Sequence, residues 1–245
     1  MDFSIYSLAV GNELNNYTWI LKDNRSHEIV VIDPTDTQIV REHCVENNLK
    51  ISQIWITHWH KDHVGGVPGL LKHTPNIRVI GSVEEQKKTP MMTDWVQQGD
   101  QIYFNDLEIN VFLLPGHTLG HIIYYVPELD AVFSGDMVFI MGCGRVFEGT
   151  YEQMYLSLNK LKSFPLHTTF YSAHDFSADN IRFVESLGLN NSKIDKRIEY
   201  LKNNTYQGIP NVSMQLALEI DTNPFLLAKN INEFIKIRTL KDNFK

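Results

Sequence analysis

The chain reads as an α/β sandwich followed by a small all-helical unit. Three observations lead there. Up to about residue 175, short β-branched or aromatic runs alternate with helical patterns, whereas only helical patterns follow. Most of the short runs are bounded by Gly, Pro, Asn or Asp, which end strands. Several of them stop at a histidine or an acid, where α/β folds commonly place ligand-binding loops. In chain order, strands are expected at Ile5–Val10, Tyr17–Lys22, Ile29–Asp33, Ile51–Ile56 and Arg78–Gly81. More are expected at Gln101–Phe104, Leu107–Leu113, His121–Val126, Ala131–Ser134 and Thr168–Ser172. Helices are expected at Thr37–Asn47, Gly66–His73 and Glu152–Lys162, the last carrying Met154, Tyr155, Leu158 and Leu161 at helical spacing. Beyond Ser177 the helical patterns are Ile181–Leu187, Ser192–Asn204, Ser213–Ile220 and Asn230–Arg238, with no strand among them. The division implied is 1–175 and 176–245.

Composition narrows the function classes. The 245 residues are 43% hydrophobic and 21% charged, an ordinary globular balance that excludes disordered and low-complexity classes. Two cysteines, Cys44 and Cys143, cannot staple a chain this long, so a disulfide scaffold is excluded. No apolar run approaches the roughly 18 residues of a membrane span, and the start has an acid at position 2 and no basic leader. The net charge of −7 disfavours nucleic acid. The expectation is a soluble, cytoplasmic, monomeric protein with neither a nucleic-acid nor a membrane partner. The charge is unevenly spread: residues 1–175 are acidic, and residues 176–245 carry 10 Lys/Arg against 8 Asp/Glu.

One segment dominates the chemistry: Thr57-His58-Trp59-His60-Lys61-Asp62-His63-Val64-Gly65-Gly66, following the strand at Ile51–Ile56. Three imidazoles and a carboxylate within six residues supply the nitrogen and oxygen donors that suit Zn, Fe or Mn. His58 and His60, two apart, can reach one ion from an extended loop; Asp62 and His63 can face a second. Three more strand ends carry donors: Gly116-His117-Thr118, Ser134-Gly135-Asp136 and Ser172-Ala173-His174. Seven ligands exceed the three or four that one ion needs, which points to two ions sharing a carboxylate. Of the other histidines, His121 suits an orienting role, and His27, His43, His73 and His167 read as surface or packing residues.

Thr-His-x-His-x-Asp-His, then Gly-His-Thr-x-Gly-His, then Ser-Gly-Asp, then a late strand-end His, resembles the metallo-β-lactamase superfamily. The resemblance implies a four-layer αββα sandwich with a dinuclear centre: His58, His60 and His117 on the first ion, Asp62, His63 and His174 on the second, and Asp136 bridging. Gly142-Cys143-Gly144-Arg145-Val146-Phe147-Glu148-Gly149-Thr150, with Asn223-Pro224-Phe225 and the ending Arg238-Thr239-Leu240-Lys241-Asp242-Asn243-Phe244, is similar to the glyoxalase II (hydroxyacylglutathione hydrolase) family. That similarity implies a glutathione pocket including Arg145, Phe147, Phe176, Arg238 and Lys241, the last two on the glycine carboxylate. Phe176 departs from the family's usual Tyr, and Phe147 replaces a Tyr found in some members. Cys143 reads as structural, because a nucleophilic thiol wants a neighbouring base.

The implied reaction is hydrolysis of S-D-lactoylglutathione to D-lactate and glutathione, the second step of methylglyoxal detoxification. Two divalent ions, zinc first among them with iron or manganese as alternatives, would generate a hydroxide that Asp62 and Asp136 orient. The rivals are another hydrolase of the same fold, acting on a different thioester, a lactone or a β-lactam, and a non-hydrolytic metal-binding module.

Overall fold

The computed structural model describes residues 2–244, in two compact units. The first takes the chain through Leu113 together with Gly120–Leu129. The second takes Leu114–Leu119 and the chain from Asp130 onward.

In the first unit, strands β1 (Phe3–Ala9), β2 (Tyr17–Asp23) and β3 (Glu28–Ile32) form an antiparallel run. Helix α1 (Thr37–Glu46) then crosses to β4 (Lys50–Trp55), parallel to β3. The N-cap of α1 is Asp36, whose carboxylate accepts from the amides of Gln38 and Ile39. A single turn α2 (Lys61–Val64) and helix α3 (Val67–His73) lead to β5 (Arg78–Ser82) and β6 (Asp94–Val96), which extend the sheet in parallel. Parallel strands covered on both faces need continuous apolar runs, and Ile29-Val30-Val31-Ile32 is such a run, at most 1% exposed. Its inward side chains pack with Val40, Ile54, Val67, Leu70 and Val79. β7 (Gln101–Phe104), β8 (Leu107–Leu113) and β9 (Ile122–Val126) make an antiparallel meander. Its first turn uses Asn105 at φ +53°, the left-handed conformation that Asn tolerates better than most residues.

In the second unit, β10 (Ala131–Gly135) pairs in parallel with β13 (Thr169–Ser172), which pairs antiparallel with β14 (Ser213–Gln215). A short ribbon, β11 (Val138–Phe139) and β12 (Gly142–Cys143), follows β10. The helices are α4 (Tyr151–Leu161), α5 (Ser177–Ser186), α6 (Ser192–Tyr206), α7 (Leu216–Thr222), α8 (Pro224–Leu227) and α9 (Ile231–Asp242). A capping box of Thr150 and Gln153 starts α4.

Each expected strand forms, with ends shifted by at most two residues. The helix expected over Ser213–Ile220 is corrected. Its first three residues are strand β14, with Met214 buried between exposed Ser213 and Gln215, and the helix starts at Leu216. A period of two over three residues is too short to stand out beside the helical pattern that follows it. Helix α8 and strands β6, β11 and β12 also escape expectation, each being four residues or fewer.

Candidate functional site

In the first unit the site is built on the end of β4. Three bonds fix that end. The buried Tyr124 hydroxyl, on β9, lies 2.9 Å from the Ile56 carbonyl, and its ring stacks on Trp55. The Ile122 amide donates to Thr57 O, and the Ile56 amide to Ile80 O. His58 and His63 are buried, and His60 and Asp62 are half-buried. His58 Nε2 faces His60 Nδ1 at 3.0 Å, and His63 Nε2 faces Asp62 Oδ2 at 3.4 Å. Asn16 Nδ2 donates to Asp62 Oδ2 at 3.1 Å and steadies that carboxylate.

Behind these donors stands Asp33, 3% exposed. Its carboxylate accepts from the Thr57 amide (2.8 Å) and the Thr57 hydroxyl (2.6 Å), and His63 Nδ1 lies 2.9 Å from Oδ2. An ionised carboxylate only accepts, so His63 carries its proton on Nδ1 and presents Nε2 as a lone pair. Thr57 spends its own proton on Asp33, so His58 Nδ1, 3.1 Å from Oγ1, donates to it. His58 Nε2 is thereby also a lone pair. The His121 ring stacks on His58 at 5.0 Å.

In the second unit, the parallel register of β10 and β13 sets Gly135 beside Ser172, so the chain ends bearing Asp136 and His174 leave the sheet together. Asp136 Oδ1 lies 3.2 Å from His174 Nε2, and Oδ2 lies 3.4 Å from His117 Nε2. His117 Nδ1 meets the Arg145 carbonyl at 2.7 Å, which fixes its proton on the outer nitrogen. The turn before His117 passes under α4: Ser157 Oγ donates to Pro115 O, and a Cβ on Gly116 would sit 2.8 Å from Met154 Cα. Gly144 is constrained likewise, because a Cβ there would strike the Asp136 carbonyl at 2.0 Å.

The expected pocket residues all lie in this second unit. Phe176 stacks on His174 (4.6 Å between centroids), and the exposed Phe147 meets His117 edge-on (5.3 Å). Arg145 is solvent-facing, 5.6 Å over Phe147, with Nε 3.8 Å from Asp242. Arg238 and Lys241 are one turn apart on α9. Arg238 is 4% exposed, so it is no solvated tail residue. Its Nη1 donates to Cys143 O (3.0 Å) and reaches Cys143 Sγ (3.6 Å), while its other nitrogens pair with Asp242. Lys241 Nζ donates to Asp179 O. Burial, and then the Arg238 charge, push the Lys241 ammonium down to about 8. Burial pushes the Cys143 thiol up to about 11, against the pull of Arg238.

His58, His60, Asp62 and His63 thus converge in one unit, and His117, Asp136 and His174 in the other. Sequence reading missed Asp33, although its signal equals that of Asp136: an apolar strand ending in an acid. Asn16 and Thr57 carry no such signal. Of the remaining histidines, His27 and His73 are exposed, His43 meets the Tyr6 hydroxyl and His167 meets Asp130. A cavity of about 730 Å³ among α6, β14 and α7 contains none of the candidate residues; there Lys193 pairs with Asp221 and Arg197 with Glu219.

The donor chemistry fits divalent cations. Outer nitrogens of His58, His63 and His117 are engaged by Thr57, Asp33 and a carbonyl, and their inner nitrogens face other donors, as in metal-ligating histidines. The family model described as Metallo-beta-lactamase superfamily matches residues 11–174, and that described as Hydroxyacylglutathione hydrolase C-terminus matches residues 175–244. Together they define the class: an αββα metallo-β-lactamase fold, which implies divalent metal ions, with a C-terminal helical domain. A hydroxyacylglutathione hydrolase of Trichormus variabilis is 37% identical, with 94% of this chain and 96% of that protein covered. One of Bdellovibrio bacteriovorus is 36% identical, covering 93% and 94%. The crystal structure of ETHE1 from Myxococcus xanthus superposes with a TM-score of 0.73 at 26% identity, covering 98% and 96%. The chain belongs to the hydroxyacylglutathione hydrolase family of the metallo-β-lactamase superfamily, and it is an enzyme of that type. Among the described residues, no helix is long and apolar enough to cross a membrane.

Proposed function

We propose that this enzyme hydrolyses S-D-lactoylglutathione, and related 2-hydroxyacylglutathiones, to the 2-hydroxy acid and glutathione. It would act as a cytoplasmic monomer, in the second step of methylglyoxal detoxification. The observation that carries the reaction class is Asp136, whose Oδ1 lies 3.2 Å from His174 Nε2 and whose Oδ2 lies 3.4 Å from His117 Nε2, so that one carboxylate stands among several histidine donors. The relatives' names support the substrate. In this reading His58, His60 and His117 would hold one divalent ion, Asp62, His63 and His174 would hold a second, and Asp136 would be shared; zinc is the first choice, with iron or manganese suited by the same donors. Residues 1–175 carry the chemistry and 176–245 the carrier-binding helices, a division supported by where the two family models meet.

When bound, divalent ions would lower the pKa of water toward neutrality and polarise the thioester carbonyl. Asp62 and Asp136 accept hydrogen bonds from the attacking water and orient it. Phe147 and Phe176 form an apolar wall against the tripeptide, with Arg145 at its rim. Arg238 and Lys241 attract the glycine carboxylate from one face of α9. The departing thiolate, whose conjugate acid has a pKa near ~8.5, needs no dedicated acid.

The test is kcat/KM for S-D-lactoylglutathione beside a second thioester, a lactone and a β-lactam, on protein whose metals are counted by elemental analysis. Two ions per chain and a clear preference for the glutathione thioester are expected. Near-background thioester rates with two ions bound would refute the substrate, and full activity with one ion would refute the dinuclear centre.

A further inference from the structure

The ribbon between Asp136 and Arg145 does not make its own shape. Its register pairs Val138 with Cys143 and Phe139 with Gly142, which leaves Ile140-Met141 as a two-residue turn. Met141 sits at φ +52°, a left-handed conformation costing a residue with a Cβ about 1–2 kcal/mol. Such turns favour Asn-Gly or Asp-Gly, and two residues per strand do not sustain a hairpin in water.

What fixes the ribbon comes from the C-terminal helices. The Phe139 and Gly142 carbonyls accept from Asn223 Nδ2 (3.2 and 2.9 Å), and the Ile140 carbonyl from Asn180 Nδ2 (3.0 Å). The Met141 amide donates to Glu219 Oε2 (2.8 Å), and Arg238 holds the Cys143 carbonyl. Every residue from Phe139 to Cys143 is therefore tied by a side chain at most 4% exposed. Gly142 presses so closely on Asn180 that a Cβ would lie 2.3 Å from its amide nitrogen. One end of the ribbon is Asp136. The other is Arg145, whose carbonyl sets the proton of His117.

We propose that the C-terminal helices are a mould for this ribbon, so that Asn180, Glu219 and Asn223 are positioning residues for Asp136 and His117, beyond any part the helices play in holding substrate. This rests on the reading of Asp136 and His117 as ligands. Binding energy stored in four buried side chains holds a turn that its own sequence disfavours, and through it the separation of the carboxylate from the imidazole.

The test uses full-length Asn180→Ala and Asn223→Ala. In metal-free protein, amide exchange at Met141 and Cys143 should quicken at least tenfold, with the cores of α5 and α9 unchanged within twofold. Zn²⁺ affinity, read by competition with a chromophoric chelator, should fall about tenfold. On S-D-lactoylglutathione, kcat should fall while KM stays within twofold. Should Asn223→Ala fail to fold, Asn180→Ala, which removes one bond, carries the test alone. Unchanged exchange and zinc affinity, or a rise in KM alone, would overturn the mould. Changed exchange and zinc affinity in an enzyme with no thioesterase activity would instead overturn the substrate reading and leave the mould standing.

Discussion

Replacing Asp33 with asparagine exchanges one buried oxygen for an amide nitrogen and should disarm ligands of both proposed ions. The new Oδ1 can still accept from the Thr57 amide at the present 2.8 Å. The new Nδ2 stands where Oδ2 now takes the Thr57 hydroxyl and faces His63 Nδ1 at 2.6 and 2.9 Å. As a donor, it forces both partners to accept. Thr57 can rotate, but His63 must move its proton to Nε2, the atom needed as a lone pair. Once Thr57 donates elsewhere, His58 loses the partner that fixes its own proton. Two hydrogen bonds to a charged group are lost, at ~1.5–3 kcal/mol each, in part replaced by the new amide contacts. Loss of such an outer partner typically costs 10–100-fold in metal affinity, about 1.4–2.7 kcal/mol. Two measurements check this: Zn²⁺ competition against a chromophoric chelator, and imidazole ¹⁵N shifts of metal-free protein, which read each tautomer. Zinc affinity within twofold of the parent, with His63 still protonated on Nδ1, would refute the reasoning.

Three further outcomes are expected. Phe176→Tyr adds a hydroxyl beside His174 and should raise kcat/KM for the glutathione thioester roughly two- to tenfold, the worth of one hydrogen bond at ~0.5–1.5 kcal/mol; steady-state kinetics decide it. Lys241 carries its charge below about 8 and loses it above, so kcat/KM, which reports the free enzyme, should decline on the alkaline side from about pH 8. In Lys241→Arg that limb should move upward, because a guanidinium keeps its proton. Thr150→Ala breaks the capping box of α4 and should cost ~1 kcal/mol, lowering Tm by about 2–4 °C in calorimetry of the metal-free protein.

The sequence exposed those parts of the molecule where one residue type stands in one local pattern. His58, His60, Asp62 and His63 are contiguous, and Asp136 and His174 close apolar strands, so their chemistry is written where they stand. Asp33 obeys the same strand-end rule, but its work consists of bonds to Thr57 and His63, which are 24 and 30 residues away. Nothing local distinguishes an acid that orients from one that ligates. Asn180, Glu219 and Asn223 were less legible still: Glu219 stands in a helical pattern whose polar residues normally face water, Asn180 just precedes one, Asn223 is readable only within a family motif, and only the fold reveals that all three are buried. The ribbon they hold was invisible for the complementary reason: Phe139-Ile140-Met141-Gly142 lacks any turn signal, its shape being supplied from elsewhere. Strand β14 failed on length, since three residues give one period of alternation before α7 begins.

A last consequence concerns Cys143. Burial pushes its thiol up to about 11 and hides the sulfur from solvent, and only the thiolate attacks disulfides. On the proposed reading each turnover frees a thiol close to this cysteine, and the oxidised dimer of that thiol is an electrophile for any exposed sulfur anion. By keeping the sulfur protonated, with its carbonyl and side chain both covered by Arg238, the fold makes the enzyme resistant to mixed-disulfide capping by the compound it releases. Mixed-disulfide formation at Cys143 should therefore stay negligible, by mass spectrometry, as the surrounding thiol pool becomes oxidised.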